Sequence, residues 1–203
     1  MPILSEDMRA YYDARAGEYD DWWLGRGLFA DRERPGWPQE VARLIACVRE
    51  LAPARVLDVA CGTGFLTRHL RGEIAGLDQS PAMAAIAAER VPGLRMVVDD
   101  AVPLPFAPGE FDRVFTGHFY GHLLAEERAA FLAEARRVAP QLVVVDSAQR
   151  AGTGEERWQQ RTLNDGSEHR VYKRYFTGAQ LADELGGGEV LFAGDWFVVV
   201  CAS

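Results

Sequence analysis

The sequence predicts an α/β protein: a doubly wound, mostly parallel sheet of seven strands that ends in an antiparallel C-terminal hairpin. Three observations predict it. Five short runs of β-formers alternate with helical stretches, the rhythm of strand–helix–strand units. The first run enters a glycine turn, Gly62-Thr-Gly64. The last two runs are separated only by Gly194-Asp195, a hairpin signal.

Taken in order, residues 6–23 read as an amphipathic helix with Met8, Tyr12, Ala16, Tyr19 and Trp23 at helical spacing. So many aromatics near a terminus need a surface to cover, as a helix docked on the core or as a lid over a ligand. Residues 24–36 hold three glycines and alternating charges, a loop pattern. Pro38 suits the first turn of a helix that packs Val41, Leu44, Ile45, Val48 and Leu51 and stops before Pro53.

Arg55-Val-Leu-Asp-Val is the first strand, and a helix is expected over 65–70, directly after the glycine turn. Glu73-Ile-Ala-Gly-Leu-Asp78 is the second strand, followed by a Ser80-Pro81 helix start and an alanine-rich helix to Arg90. Leu94 to Asp100, Phe111 to Gly117 and Gln141 to Asp146 complete the parallel set, with a helix over 125–138 before the last. Residues 148–176 form a connection longer and more polar than usual, with a turn at Asn164-Asp-Gly-Ser and a strand-like run at 171–176. The 203 residues thus read as one domain, with an N-terminal lid segment (1–36) and a substrate-side insertion (148–176).

Composition narrows the function. A net charge of −8 and a sequence pI near 5.1 oppose a broad nucleic-acid or anionic-membrane surface. No apolar run approaches bilayer length, and Met1-Pro-Ile-Leu-Ser-Glu-Asp does not open a signal peptide. Cys47, Cys61 and Cys201 are widely spaced and give neither a disulfide framework nor a zinc site, which suits a reduced, cytoplasmic setting.

In an open α/β sheet, ligands bind beyond the carboxyl ends of the strands. That rule gathers Asp58, Asp78, Asp99, Asp100 and Gly117-His118 on one edge. Two oxygens of one carboxylate match a vicinal diol, so Asp78 suits a ribose. A nicotinamide dinucleotide and S-adenosylmethionine both carry that ribose. The dinucleotide turn G-x-G-x-x-G lacks its third glycine here, where Thr67 stands, and a pyrophosphate is repelled by Asp58. A cationic sulfonium with an ammonium group tolerates an acidic pocket, so the residues lean to S-adenosylmethionine.

Val56-Leu-Asp-Val-Ala-Cys-Gly-Thr-Gly64 resembles the first motif of the class I S-adenosylmethionine-dependent methyltransferases. Gly76-Leu-Asp-Gln-Ser-Pro-Ala-Met83, Asp99-Asp-Ala-Val-Pro-Leu-Pro-Phe106 and Phe111-Asp-Arg-Val-Phe resemble the second to fourth. The resemblance implies a Rossmann-like fold and a methyltransferase of the small-molecule type. It puts Gly62 and Gly64 under the methionine part, with Ala60 beside them and Asp58 organising the loop or facing the ammonium group. It assigns Asp78 to the ribose, with Gln79 next to it, and Met83, Asp100 and Ala101 to the adenine. Gly117 would offer backbone to the methionine end, and Tyr19, Tyr11 or Tyr12 would close the lid.

Methyl transfer asks the protein for alignment and, where the acceptor carries a proton, for a base. His118, Tyr120 and His122 follow the fourth strand and are the catalytic candidates; each histidine suits a general base or a loop hydrogen bond. No HExxH glutamate accompanies them, so no metal is expected. In the insertion, Trp158, Arg161, His169, Tyr172, Lys173 and Arg174 suit an acidic or planar acceptor, or a solvated face. Arg161 and Tyr172, with Tyr12 from the lid, are the substrate-binding candidates. The expected reaction is methyl transfer to a small molecule, with no nucleic acid or membrane as partner. The alternatives are a macromolecular acceptor, a non-catalytic S-adenosylmethionine-binding module and a nicotinamide-dependent oxidoreductase.

Overall fold

The computed structural model describes residues 6–152 and 154–203. Residues 1–5 of the N-terminal segment and Thr153 of the insertion lie outside the described residues.

The sheet is built on β1 (Ala54–Val59), β2 (Gly72–Asp78), β3 (Arg95–Val98), β4 (Arg113–Gly117), β5 (Gln141–Ser147), β8 (Glu189–Ala193) and β9 (Phe197–Ala202). Their order is β3-β2-β1-β4-β5-β9-β8. β1 to β5 run parallel, while β9 is antiparallel to β5 and β8 antiparallel to β9. The order reverses between β1 and β4, so a crevice opens above their carboxyl ends.

Period-2 alternation divides the strand residues between two cores. Leu57, Val59, Val114, Val144, Val198 and Val200 face helix α5 (Ala125–Val138), which contributes Phe131, Leu132, Ala135 and Val138. Val56, Phe115, Val143, Val145, Phe197 and Val199 face helix α3 (Trp37–Glu50), through Trp37, Val41, Leu44 and Val48. Burial on both faces makes the central strands near-continuous apolar runs, which is why they are legible in the sequence.

Two expectations are corrected. The segment after the glycine turn is a 3₁₀ turn, Thr67–His69, and not a helix over 65–70. β2 already begins at Gly72, which leaves less than two turns of chain for a helix to nucleate. The N-terminal segment is two pieces, α1 (Glu6–Arg15) and α2 (Asp21–Leu24), joined by a 3₁₀ turn at Ala16–Glu18. Gly17 sits in that turn, where its low helix propensity weakens a continuous helix.

The insertion is a two-stranded antiparallel ribbon, β6 (Glu156–Thr162) and β7 (Glu168–Arg174), turning through Asn164-Asp-Gly. The sequence predicts the turn and part of β7 but not β6. Nor does it predict α6 (Gly178–Glu184), although a capping box marks its start. The Thr177 side chain accepts from the Gln180 N–H, and the Gln180 side chain accepts from the Thr177 N–H. Helix α4 (Pro81–Arg90) starts where expected, with Ser80 Oγ accepting from the Met83 N–H at 3.1 Å.

Candidate functional site

Two cavities open side by side at the carboxyl ends of β1, β2 and β4. The first is the smaller of the two. Tyr12, Tyr19, Ala60, Gly62, Asp78, Gln79, Met83, Asp100, Ala101, Gly117, His118 and His122 line it. The second, of about 300 Å³, shares Tyr12, Tyr19, His118 and His122 with the first and adds Arg161.

The glycine turn is left-handed at Gly62 (φ 56°) and Gly64 (φ 73°). At Gly64 a Cβ would press on Val91 at 3.2 Å and on the Ala87 Cα at 3.3 Å. That glycine therefore seats the turn against α4 rather than lining the cavity. Asp78 locks the turn from β2: Gly62 N–H donates to Oδ2 at 2.8 Å and Ser80 N–H to Oδ1 at 2.9 Å. Each oxygen keeps a further lone pair for a ligand hydroxyl. Burial pushes the Asp78 carboxyl up to about 6, against the pull of those two N–H groups.

Asp58 is 2% exposed and accepts from Thr67 Oγ1 at 2.6 Å. Burial raises it to about 7, with Asp78 adding to the rise. It lines a small side pocket with Tyr19, Ala60, Cys61 and Gly117. The Thr67 that breaks the dinucleotide pattern is thus the residue that holds Asp58.

The N-terminal segment covers the crevice through specific polar contacts. Ser80 Oγ donates to Asp13 at 2.5 Å. Asp20 accepts from Thr63 Oγ1 at 2.7 Å and pairs with Arg90 at 2.5 Å, so the segment is tied to the glycine turn itself. Tyr19 lies over Gly62, 3.7 Å from where a Cβ would sit. Of the three tyrosines, Tyr12 and Tyr19 line the cavity. Tyr11 is buried instead against Leu163 and Val171 of the β6–β7 ribbon. Burial pushes the Tyr19 hydroxyl up to about 12.

His118 and His122 differ in role. His118 occupies a left-handed conformation (φ 58°) at the end of β4, an uncommon placement for a side-chain-bearing residue. Trp22, Trp23 and Phe197 surround its ring, and burial pushes it down to about 3. At 3.9 Å from Asp146 a neutral imidazole makes no ion pair. Asp146 pairs instead with Lys173 and accepts from Gly121 N–H at 2.7 Å. The His122 Nδ1 lies 2.7 Å from the Tyr172 carbonyl oxygen, so Nδ1 carries the proton and Nε2 is left with a lone pair. Burial and the cations Lys173 and Arg161 hold His122 well below its usual value.

Two sequence candidates fall outside the cavities. Tyr120 is fully buried and its hydroxyl donates to Glu184 at 3.2 Å, beneath the site rather than in it. The Tyr172 ring packs on Trp158 and its hydroxyl donates to Glu156 at 2.5 Å, so only its backbone carbonyl reaches a site residue. Among the described residues, no cluster of three or more His, Cys, Asp or Glu side chains is placed to hold a metal. No helix among them is long and apolar enough to cross a membrane.

The middle of the chain and its fold both match known proteins. A family model described as a methyltransferase domain matches residues 56–141, from β1 to the start of β5. DhpI, solved as a SAH complex, superimposes with a TM-score of 0.73 at 27% identity over 97% of this chain and 94% of that one. Over residues 56–141 the chain matches the methyltransferase-domain family, and its fold is that of the class I S-adenosylmethionine-dependent methyltransferases. A DhpI–SAM–HEP complex gives a TM-score of 0.74 at 25% identity, over 98% of this chain and all of that one. Among curated relatives, a demethylmenaquinone methyltransferase of Thermotoga maritima is 37% identical over 47% of this chain and 43% of its own length. A trans-aconitate 2-methyltransferase of Methylobacterium nodulans is 41% identical over 41% of this chain and 33% of its own. The chain therefore spans about half or less of the curated relatives it matches. The shared region holds the glycine turn, Asp78 and the β4 end; the N-terminal segment and the β6–β7 ribbon lie outside the family match.

Proposed function

We propose that this chain is an S-adenosylmethionine-dependent methyltransferase acting on a small-molecule acceptor. The observation that carries the reading is the pair of adjoining cavities. One is lined by the acids and glycines of the donor motifs, the other is free for an acceptor, and His118 and His122 stand between them. The names of the quinone and aconitate relatives support a small-molecule acceptor.

The donor cavity fits the cofactor on its own chemistry. Asp78 keeps acceptor capacity for both ribose hydroxyls, and Leu77, Met83, Ala101 and Phe119 supply an apolar slot for a purine. Gln79 Nε2 is buried without a hydrogen-bond partner in the same wall, a donor for a ligand acceptor atom. Asp58 faces the position of a cationic tail, and a cation there would draw its carboxyl down toward the ionised form. The short 3₁₀ turn after Gly64 gives none of the helix dipole on which a pyrophosphate relies.

Bound S-adenosylmethionine supplies a methyl group on a cationic sulfur. Tyr12 and Tyr19 exclude water from the line of attack, which protects alignment. His122, held through Nδ1–H by the Tyr172 carbonyl, takes at Nε2 the proton of an acceptor that carries one. Ser147 Oγ lies 3.4 Å from the His118 Nδ1, a longer hold than the 2.7 Å contact that fixes His122, so His122 is the better-oriented base.

Calorimetry with S-adenosylhomocysteine and with NAD tests the donor. Micromolar S-adenosylhomocysteine binding without NAD binding is expected, and the reverse would sink the reading. Release of S-adenosylhomocysteine on incubation with a panel of small acceptors tests the transfer itself.

A further inference from the structure

Seven of the chain's 22 cationic side chains line the second cavity, although the protein as a whole carries a net charge of −8. Arg15, Arg32, Arg34, Arg150, Arg157 and Arg161 come from the N-terminal segment, the β5 exit and the ribbon strand β6. Glu33, itself exposed, is the only carboxylate in the lining. None of the six arginines makes an ion pair with a carboxylate among the described residues, whereas Arg55, Arg90, Arg95, Arg128, Arg137 and Arg174 all do. Lys173, the seventh cation, is the one that is paired, to Asp146.

The six are instead held by neutral groups that leave guanidinium edges free. Arg34 lies over the Trp37 ring at 4.0 Å and Arg150 over Trp196 at 3.8 Å. Arg15, 6% exposed, lies 4.9 Å from the Tyr19 ring and donates to the Tyr11 hydroxyl at 2.7 Å. Arg161 donates to Gln159 Oε1 at 2.9 Å. Aromatic stacking fixes the plane of a guanidinium while its N–H fork still points outward, which suits a planar or tetrahedral oxyanion. Burial first, and then Arg161 and Arg15, hold the Arg32 guanidinium below its ordinary value. Cations gathered in a concavity without their own counterions are completed by an anion.

Resting on the methyl-transfer reading, we propose that the acceptor is a small oxyanion, a carboxylate or a phospho compound, anchored in the second cavity by Arg15, Arg34 and Arg161 with the exposed Arg32, Arg150 and Arg157 at its mouth. The anchoring places the acceptor beside Tyr12, Tyr19 and His122, which both cavities share. A nucleic-acid backbone would need cations spread over an outer face; here they converge on one hollow.

The test is calorimetry with malonate, inorganic phosphate and neutral malonamide, with and without saturating S-adenosylhomocysteine. At least one anion binds, malonamide does not, and the affinity falls with added salt. Arg161→Gln weakens the anion by roughly 10- to 100-fold, the loss expected for a charge-assisted contact. Arg150→Gln, at the exposed mouth, weakens it less. Arg71→Gln, an equal charge change at the opposite end of the sheet, leaves it unchanged. Preference for malonate assigns a carboxylate acceptor, and preference for phosphate a phospho one. The proposal is overturned if neither anion binds better than malonamide, or if Arg161→Gln and Arg150→Gln both bind as wild type. Absence of S-adenosylhomocysteine binding would refute the donor reading separately, since the anion titration without it still reports on the arginines.

Discussion

Asp78 allows the sharpest test of the donor site. Its two oxygens already accept the Gly62 and Ser80 N–H groups at 2.8 and 2.9 Å, and a ribose diol would add two hydroxyl donors. A hydrogen bond to a charged acceptor contributes about 1.5–3 kcal/mol, so losing both ligand bonds costs about 3–6 kcal/mol, or roughly 10²–10⁴-fold in affinity. The Asp78→Ala substitution also orphans two N–H groups, which costs a further ~1–3 kcal/mol each in stability. Urea unfolding of the same sample separates that loss from the binding loss. Asp78→Asn keeps one acceptor oxygen and should fall between wild type and alanine. The assay is calorimetric titration of S-adenosylhomocysteine near pH 7.5, above the value of about 6 to which burial raises the carboxyl. Below that value the protonated acid spends one oxygen as a donor, so affinity should weaken as the pH falls. If folded Asp78→Ala protein bound within about threefold of wild type, a change of well under 1 kcal/mol, the ribose role would be refuted.

Three further outcomes are expected. Asp58 holds its proton more tightly folded, at about 7, than unfolded at 3.8. Its contribution to the apoprotein's stability is therefore fully present below about 3.8 and is lost as the pH rises from there to about 7, by up to about 4 kcal/mol. Asp58→Asn should flatten that decline in urea titrations from pH 5 to 8, and an unchanged slope would count against it. His122→Ala should lower kcat for a proton-bearing acceptor by about 10²–10⁴-fold. Because the His122 ring stays neutral well below its usual value, the wild-type rate should be flat from pH 6 to 8; a histidine limb near 6.5 would contradict this. Glu40→Ala should destabilise the fold by at least about 3 kcal/mol, because the carboxylate accepts the N–H groups of Asp195, Trp196 and Phe197. A urea midpoint equal to wild type would refute that.

The parts of the fold written in local pattern were legible. Val56, Leu57 and Val59, or Val143 to Val145, are buried on both faces and so appear as unbroken apolar runs. The meeting of Asp78 and Gly117 in one cavity was legible for a related reason: a parallel sheet delivers both to one edge by topology alone. Elements that depend on distant partners were not. The 65–70 segment has helical composition, but the early start of β2 leaves it no length. Strand β6 reads as polar because one face of a two-stranded ribbon meets solvent. Glu40 looks like an ordinary helix-surface acid until the β8–β9 turn closes on it, 155 residues further along the chain. The arginine hollow draws on residues 15, 32, 34, 150, 157 and 161, and no window of sequence contains more than a few of them.

The small cluster of Tyr11, Leu163 and Val171 joins α1 to the β6–β7 ribbon, and Asn164 N–H donates to Glu18 across the same seam at 2.8 Å. The cover of the donor cavity and the wall of the acceptor cavity are therefore one mechanical piece, clamped to the glycine turn through Asp20. A substitution that loosens this seam, such as Val171→Ala, should therefore be felt in both cavities at once.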